Sequence, residues 1–161
     1  MAELAVIEQG VGVLTTVPED ARSEDQQAAA DAALAMLDNR ARVADRKDLE
    51  IVRRARVMLR DADDWNRADE RECERRDQGL SLFCALTEAS VAATGTYVHR
   101  RTAIQEVRFA VEEASSGKSY AHRLQDFNND PDYSRADMLA VLELAEERLS
   151  ARLLRQAACA L

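Results

Sequence analysis

Ala114 to Ser119, ASSGKS, ends as a phosphate-binding P-loop ends. The full motif sets a glycine five residues before the second one, leaves a strand and enters a helix, so that successive amides wrap the phosphates. Glu112 occupies that glycine's position, and the apolar spacing upstream is helical. Gly117 therefore reads as a helix stop followed by a lysine, with no nucleotide site. A second candidate is the acidic stretch LQDFNNDPDYSRADML, Leu124 to Leu139, where Asn128, Asp130 and Asp132 alternate as calcium ligands do. A calcium loop also needs a glycine at its sharp turn and a closing bidentate glutamate. Neither is in place and Pro131 interrupts the series, so the stretch reads as punctuation between two helices.

His99, His122, Cys73 and Cys84 are the side chains that could meet as a zinc site. Structural zinc draws on paired ligands at C-x-x-C or H-x-x-x-H spacing, and neither spacing occurs, so no metal and no cofactor is expected. Cys84, beside Phe83 on an apolar helical face, reads as a small core residue. Cys73, with Arg75 and Arg76 nearby, reads as the most exposed thiol. Three cysteines (the third is Cys159) fit no disulfide framework and predict reduced thiols in a cytoplasmic protein. Nucleophilic catalysis needs an oriented base beside a Ser, Thr or Cys. His99, between Val98 and Arg100, and His122, on the polar side of a short helix, have no such motif and read as surface histidines. The neighbouring carboxylates Asp63/Asp64, Glu112/Glu113 and Glu146/Glu147 would point about 100° apart on a helix, so they read as solvated faces. No catalytic residue is expected.

The elements that would position these groups are helices. Ala, Leu, Arg, Glu and Asp dominate the 161 residues, against 5 Gly, 2 Pro and few aromatics, and strand-like alternation is nearly absent. Ser23-x-x-Gln26 opens an Ala-rich helix to about Asp38, with Ala30, Leu34 and Leu37 on one face. Asp45 caps a second helix to about Arg60, with Ile51, Val52, Ala55, Met58 and Leu59 inward. The acidic stretch after it is weakly periodic. Leu82, Phe83, Leu86, Ala89 and Ala93 mark a helix from Leu80 that stops at Gly95, and Thr102-x-x-Gln105 predicts the next start. Tyr120, Leu124 and Phe127 line a short helix. Ser134-x-x-Asp137 then caps the last one, Arg135 to about Leu154, with Met138, Leu142, Ala145, Leu149 and Leu153 inward.

This order of motifs, RVMLRDADDW with Trp65, LFCALTEAS with Cys84, AIQEVRFAVEE, and the closing LQDFNNDPDYSRADMLAVLELAEERL, resembles a bacterial domain-of-unknown-function family, the one numbered 6197. The resemblance spans about residues 47 to 150. Members tend to carry a Trp where Phe127 stands and a Gly in the Cys-bearing helix, which CALTEAS lacks. The resemblance implies a helical fold and brings no activity with it.

The expected architecture is all-α: a compact single-domain bundle of five to seven helices over residues 23–155, after a flexible arm (1–22) and before a short tail (156–161). The net charge of -8 argues against non-specific binding to nucleic acid or anionic lipid, and no apolar run reaches the length of a membrane span. Charge is nevertheless segregated. Residues 40–60 hold eight bases and three acids, between acidic segments, so that Lys47, Arg53, Arg54, Arg56 and Arg60 form either a docking face or a surface neutralised by its neighbours. The expected function is a small cytoplasmic protein-binding protein: an adaptor, regulator or acidic inhibitor. It would act through that face, through the apolar arm residues Leu4, Val6, Ile7, Val11, Val13 and Leu14, or through both. The rival is an enzyme or small-molecule binder whose pocket is lined by Trp65, Tyr97, His99, Tyr120 and His122. A self-assembling structural protein, marked by a contiguous exposed apolar patch, is the third reading, and homo-oligomers are open.

Overall fold

The computed structural model describes residues 43–160, residue 75 excepted. The expected arm with its six apolar residues, and the helix expected from Ser23, lie outside the described residues. The described chain forms five α-helices: α1 (Arg46–Met58), α2 (Leu82–Thr94), α3 (Thr102–Ala114), α4 (Arg123–Asn129) and α5 (Arg135–Cys159). Two short 3-10 turns, Ala62–Asp64 and Arg76–Gln78, lie in the acidic stretch between α1 and α2. No strand forms among the described residues, where the fold is all-α as expected.

The helices pack through the stripes that a 3.6-residue period selects. Ile51, Val52 and Ala55 of α1 meet Leu82, Ala85, Leu86 and Ala89 of α2 in one continuous core. Ile104, Val107 and Val111 of α3, Phe127 of α4 and Met138, Leu142, Ala145 and Leu149 of α5 complete it. Each large aliphatic side chain buried here stabilises the fold by roughly 1.5–3 kcal/mol. α1 lies against α2 and α5, and α3 against α5.

The helix starts are fixed by carboxylates. Asp45 Oδ1 accepts the Asp48 amide at 2.8 Å and Asp48 Oδ2 accepts the Asp45 amide at 2.9 Å, a reciprocal capping box. Asp48 also reaches across the bundle, where its Oδ1 accepts the Ala103 amide at the start of α3 (3.2 Å). α3 starts at Thr102 as expected, and that contact explains why it needs no cap from Thr102 or Gln105. Thr102 donates instead to the Val43 carbonyl (3.3 Å) and Gln105 to the His99 carbonyl (3.2 Å), because the α3 terminus has already found a cap in another helix. Arg101 joins both acids, with Nη2 2.9 Å from Asp45 and Nε 2.9 Å from Asp48. Burial pushes the Asp48 carboxyl up, outweighing the amides and the guanidinium that favour its charged form. At Asp45 burial acts in the same sense but loses to the Asp48 amide and Arg101, which hold that carboxyl down.

α2 starts on Ser81, whose Oγ accepts the Cys84 amide (3.1 Å), and stops on Gly95 in the left-handed conformation (φ 81°). Ser134 and Asp137 open α5 as predicted, with Asp137 Oδ2 accepting the Ser134 amide at 2.7 Å. α5 continues past Leu154 to Cys159, where a tail was expected, because Gln156 grips Ala44 from both sides. Its Oε1 accepts the Ala44 amide (2.9 Å) and its Nε2 donates to the Ala44 carbonyl (2.8 Å).

Candidate functional site

The span between α1 and α2 has almost no regular structure, so its backbone groups must find partners elsewhere. Its ends meet in a single parallel bridge at Trp65 and Leu80, with Asn66 N donating to Leu80 O (2.9 Å) and Leu80 N to Asp64 O (2.6 Å). Gly79 makes the approach possible: at φ 76°, a Cβ there would sit 2.8 Å from the Asp64 carbonyl carbon. Asn128, fully buried in the last turn of α4, supplies the remaining partners. Its Oδ1 accepts from Trp65 Nε1 (2.9 Å) and from the Leu82 amide that opens α2 (3.0 Å). Its Nδ2 donates to the carbonyls of Asn66 (2.9 Å) and Arg67 (3.2 Å). Asn129 continues the clamp, accepting the Asp69 amide (2.7 Å) and donating to the Asp69 carbonyl (3.0 Å). Arg67 returns the grip, with Nη2 donating to the carbonyls of Pro131 (2.8 Å) and Tyr133 (3.1 Å). The acidic stretch at 124–139 is a helix boundary, as expected, and also the clasp that holds the preceding loop.

The same loop carries a correction. Cys73 and Cys84 form a disulfide, with Cα atoms 5.1 Å apart, where reduced thiols were expected. The folded chain brings together two cysteines 11 positions apart that no spacing motif pairs. Cys84 is buried, as expected, and Cys73 is half-buried. The exposed thiol is Cys159. A cavity of about 20 Å³ lies against the disulfide, bordered by Asp69, Glu70, Glu72 and Ser81. Asp69 is 3% exposed; its Oδ1 accepts the Arg71 amide (2.7 Å), and its buried Oδ2 has no hydrogen-bond partner.

The five aromatic and histidine candidates fall into separate places. Trp65 is part of the Asn128 hub. Tyr97 stacks edge-on against Phe83 with centroids 5.6 Å apart, while Arg71 covers Phe83 from 5.8 Å. Burial pushes the Tyr97 phenol up, against the pull of the neighbouring Arg108 and Arg71. His99 follows on the exposed α2–α3 connection. Arg108 Nη1 donates to its carbonyl (2.7 Å) and Arg108 Nη2 lies 2.8 Å from its Nδ1. A guanidinium only donates, so Nδ1 must accept, and the imidazole is neutral with its proton on Nε2. Burial first, then the charges of Arg108, Arg100 and Arg71, hold its pKa below the ordinary histidine range.

Tyr120 lies at the other end of the α3–α4 connection. It donates to Asp130 Oδ2 (2.7 Å), which also accepts from Lys118 Nζ (2.8 Å); Lys118 bonds Asp132 as well (2.6 Å). The Lys118 bond, then the Asp132 amide and Tyr120, hold the Asp130 carboxyl down to about 2. Tyr120 alone of the five borders a hollow of about 440 Å³, with Lys118, Ser119 and Arg123. His122 precedes α4 with an exposed ring, its amide donating to Asp126 (2.7 Å). Among the described residues, no group of three or more His, Cys, Asp or Glu side chains could hold a metal ion.

The basic face of α1 is largely spoken for. Arg53 pairs with Glu146 (2.7 Å), Arg56 with Glu146 (3.1 Å) and Glu143 (3.6 Å), and Arg54 with Glu50 (2.7 Å); Arg60 is exposed. Among the described residues, the neutralising acids thus come mainly from α5.

The model of DUF6197, described as a family of unknown function, matches residues 43–148. No curated protein and no solved structure matches the chain.

Proposed function

The chain belongs to the DUF6197 family, whose function is unknown, and we propose that it works by docking another protein, as an adaptor or regulator. The α2–α3 end is the docking face, and its partner offers an acidic segment with apolar anchors. One observation carries this reading: Arg71 and Arg100 make no ion pair among the described residues, at an end that also exposes Val91 and Val98. Arg53, Arg54 and Arg56 on α1, in contrast, are already compensated. Charged rims steer association and apolar centres hold it, so exposed arginines beside exposed valines suit such a partner. A cytoplasmic setting belongs to the same proposal. No described helix is long and apolar enough to cross a membrane.

The test is chemical cross-linking in source-organism lysate with full-length chain, beside Arg71→Glu/Arg100→Glu and Arg53→Glu/Arg54→Glu variants. The expected result is one protein cross-linked through the α2–α3 end, lost with the first variant and kept with the second. A partner indifferent to the first variant, or no partner at all, overturns the reading. The second reading, a small-molecule binder, is favoured by the hollow of about 440 Å³ beside Tyr120, which falls in the size range of ligand sites. A metabolite that raises the melting temperature of the wild type but not of a Ser119→Trp variant would support it.

A further inference from the structure

We propose that Cys73–Cys84 is a thiol–disulfide exchange site. Cys73 is the sulfur an external thiolate attacks, Cys84 is the leaving sulfur, and Asp69 is a positioning residue that handles the Cys84 proton through water in the shared cavity. The proposal goes beyond the docking role and does not depend on it.

Three observations carry it. The first is access: Cys73 is half-buried on an irregular loop, whereas Cys84 is 4% exposed, so an incoming thiolate meets Cys73. The second is where the leaving sulfur sits. Cys84 lies in the first turn of α2, where the helix dipole favours a thiolate. The third is the unpartnered carboxylate oxygen of Asp69, a residue 3% exposed that borders the same cavity as both cysteines. A cavity of about 20 Å³ has room for about one water, enough for a single relay. Of the titratable groups around it, Glu70 and Glu72 belong to the same loop, while α4 presents the uncharged Gln125 and Asn129.

The loop is also built to survive reduction. Asn128 holds Trp65, Asn66 and Arg67, Asn129 and Gln125 hold Asp69, and the Asp64–Leu80 and Asn66–Leu80 bonds hold the far end. Breaking the disulfide therefore loosens residues 70–79 and leaves the helices anchored. In the exchange, a thiolate of a small dithiol bonds to Cys73 Sγ, and the Cys73–Cys84 bond breaks with its electron pair on Cys84. A proton reaches Cys84 through the cavity water. The second thiolate of the dithiol then attacks its own partner sulfur, closes the dithiol's disulfide and releases Cys73. The dithiol loses two electrons and the cysteine pair gains them. In the reverse direction Asp69 takes the Cys84 proton as that sulfur attacks.

The test treats oxidised full-length chain with excess dithiothreitol from pH 6 to pH 9, quenches with a maleimide mass tag and follows circular dichroism in parallel. The expected result is reduction within minutes with the helical signal retained. Glutathione disulfide should form a mixed disulfide on Cys73 in a Cys84→Ser variant much faster than on Cys84 in a Cys73→Ser variant. Asp69→Asn keeps an oxygen for the Arg71 amide. It should slow exchange at least about tenfold at pH 6, the gap closing toward pH 9 where the Cys84 sulfur can leave as a thiolate without taking up a proton. A disulfide that yields only after denaturant unfolds the chain, or one that does not form in the oxidised chain, overturns the site. An Asp69→Asn profile parallel to wild type at every pH overturns the role of Asp69.

Discussion

Replacing Asn128 with alanine isolates the hub, because the side chain is fully buried and each of its polar atoms is engaged. The substitution strands two donors, the Leu82 amide and Trp65 Nε1. A buried polar group left without its partner costs about 1–3 kcal/mol, so the two together cost about 2–6 kcal/mol. The carbonyls of Asn66 and Arg67 each lose one donor as well, and each keeps a second lone pair for solvent, so they add less. Against a domain stability of roughly 5–15 kcal/mol this is a large fraction. The assay is urea unfolding followed by tryptophan fluorescence. Trp65 is the chain's single tryptophan and is itself bonded to the hub, so the signal reports the site directly. Its folded-state emission should change in the variant before any denaturant is added. Asn129→Ala, which removes the grip on Asp69 and one acceptor of Asn128 Nδ2 but strands no fully buried donor, should cost less. A loss under about 1 kcal/mol for Asn128→Ala, with the slope of the transition unchanged, would refute the idea that the hub organises the loop.

Other expectations can be checked on the same preparation. Gly79→Ala should cost about 1–3 kcal/mol, since it forces a side chain into left-handed backbone and against the Asp64 carbonyl; urea titration reads the difference. Reducing the disulfide should lower stability by roughly 3 kcal/mol, the chain entropy of a loop closed over a separation of 11, measured by paired melts with and without reductant. The Asp130 carboxyl is held down to about 2, below its ordinary 3.8, so its bonds to Lys118 and Tyr120 favour folding above the ordinary value. That contribution fades as pH falls from about 4 toward 2. Lys118→Met should therefore flatten the acid limb of a stability–pH curve in that window. An unchanged acid limb would count against the pairing.

What the sequence disclosed follows from how local each signal is. The cap at Asp45, the capping box at Ser134, the stop at Gly95 and most of the described core stripes depend on residues within a turn or two of each other. These are where spacing predicts them, although Ala114, expected at the end of the α3 stripe, is exposed. The resemblance over about residues 47 to 150 likewise follows motif order, and the family match covers 43–148. The hub was not legible, because Asn128 and Trp65 are 63 positions apart and an Asn-Asn pair before a proline looks like a turn from either side. Nor was the disulfide, whose cysteines share no spacing motif and meet only once the loop is clasped. The Thr102–Gln105 pair marks the start of α3 correctly, but the cap itself comes from a carboxylate of another helix, Asp48, which spacing could not show. Of the candidate side chains, Tyr97 and His99 share a neighbour in Arg108, which carries no motif of its own.

Asp48 has a kinetic meaning as well. Its carboxylate accepts the Asp45 amide at the start of α1 and the Ala103 amide, 55 positions on from Asp48, at the start of α3, so neither start can fray without releasing the other. The amides of Asp45 and Ala103, both held by that carboxylate, should then exchange with solvent deuterium as a pair, at one shared opening rate, although they open different helices. A nascent α1 would hold its cap in place and present it to the chain that becomes α3. Docking of these two segments is thereby a single committed step in folding, with Arg101 arriving to seal it.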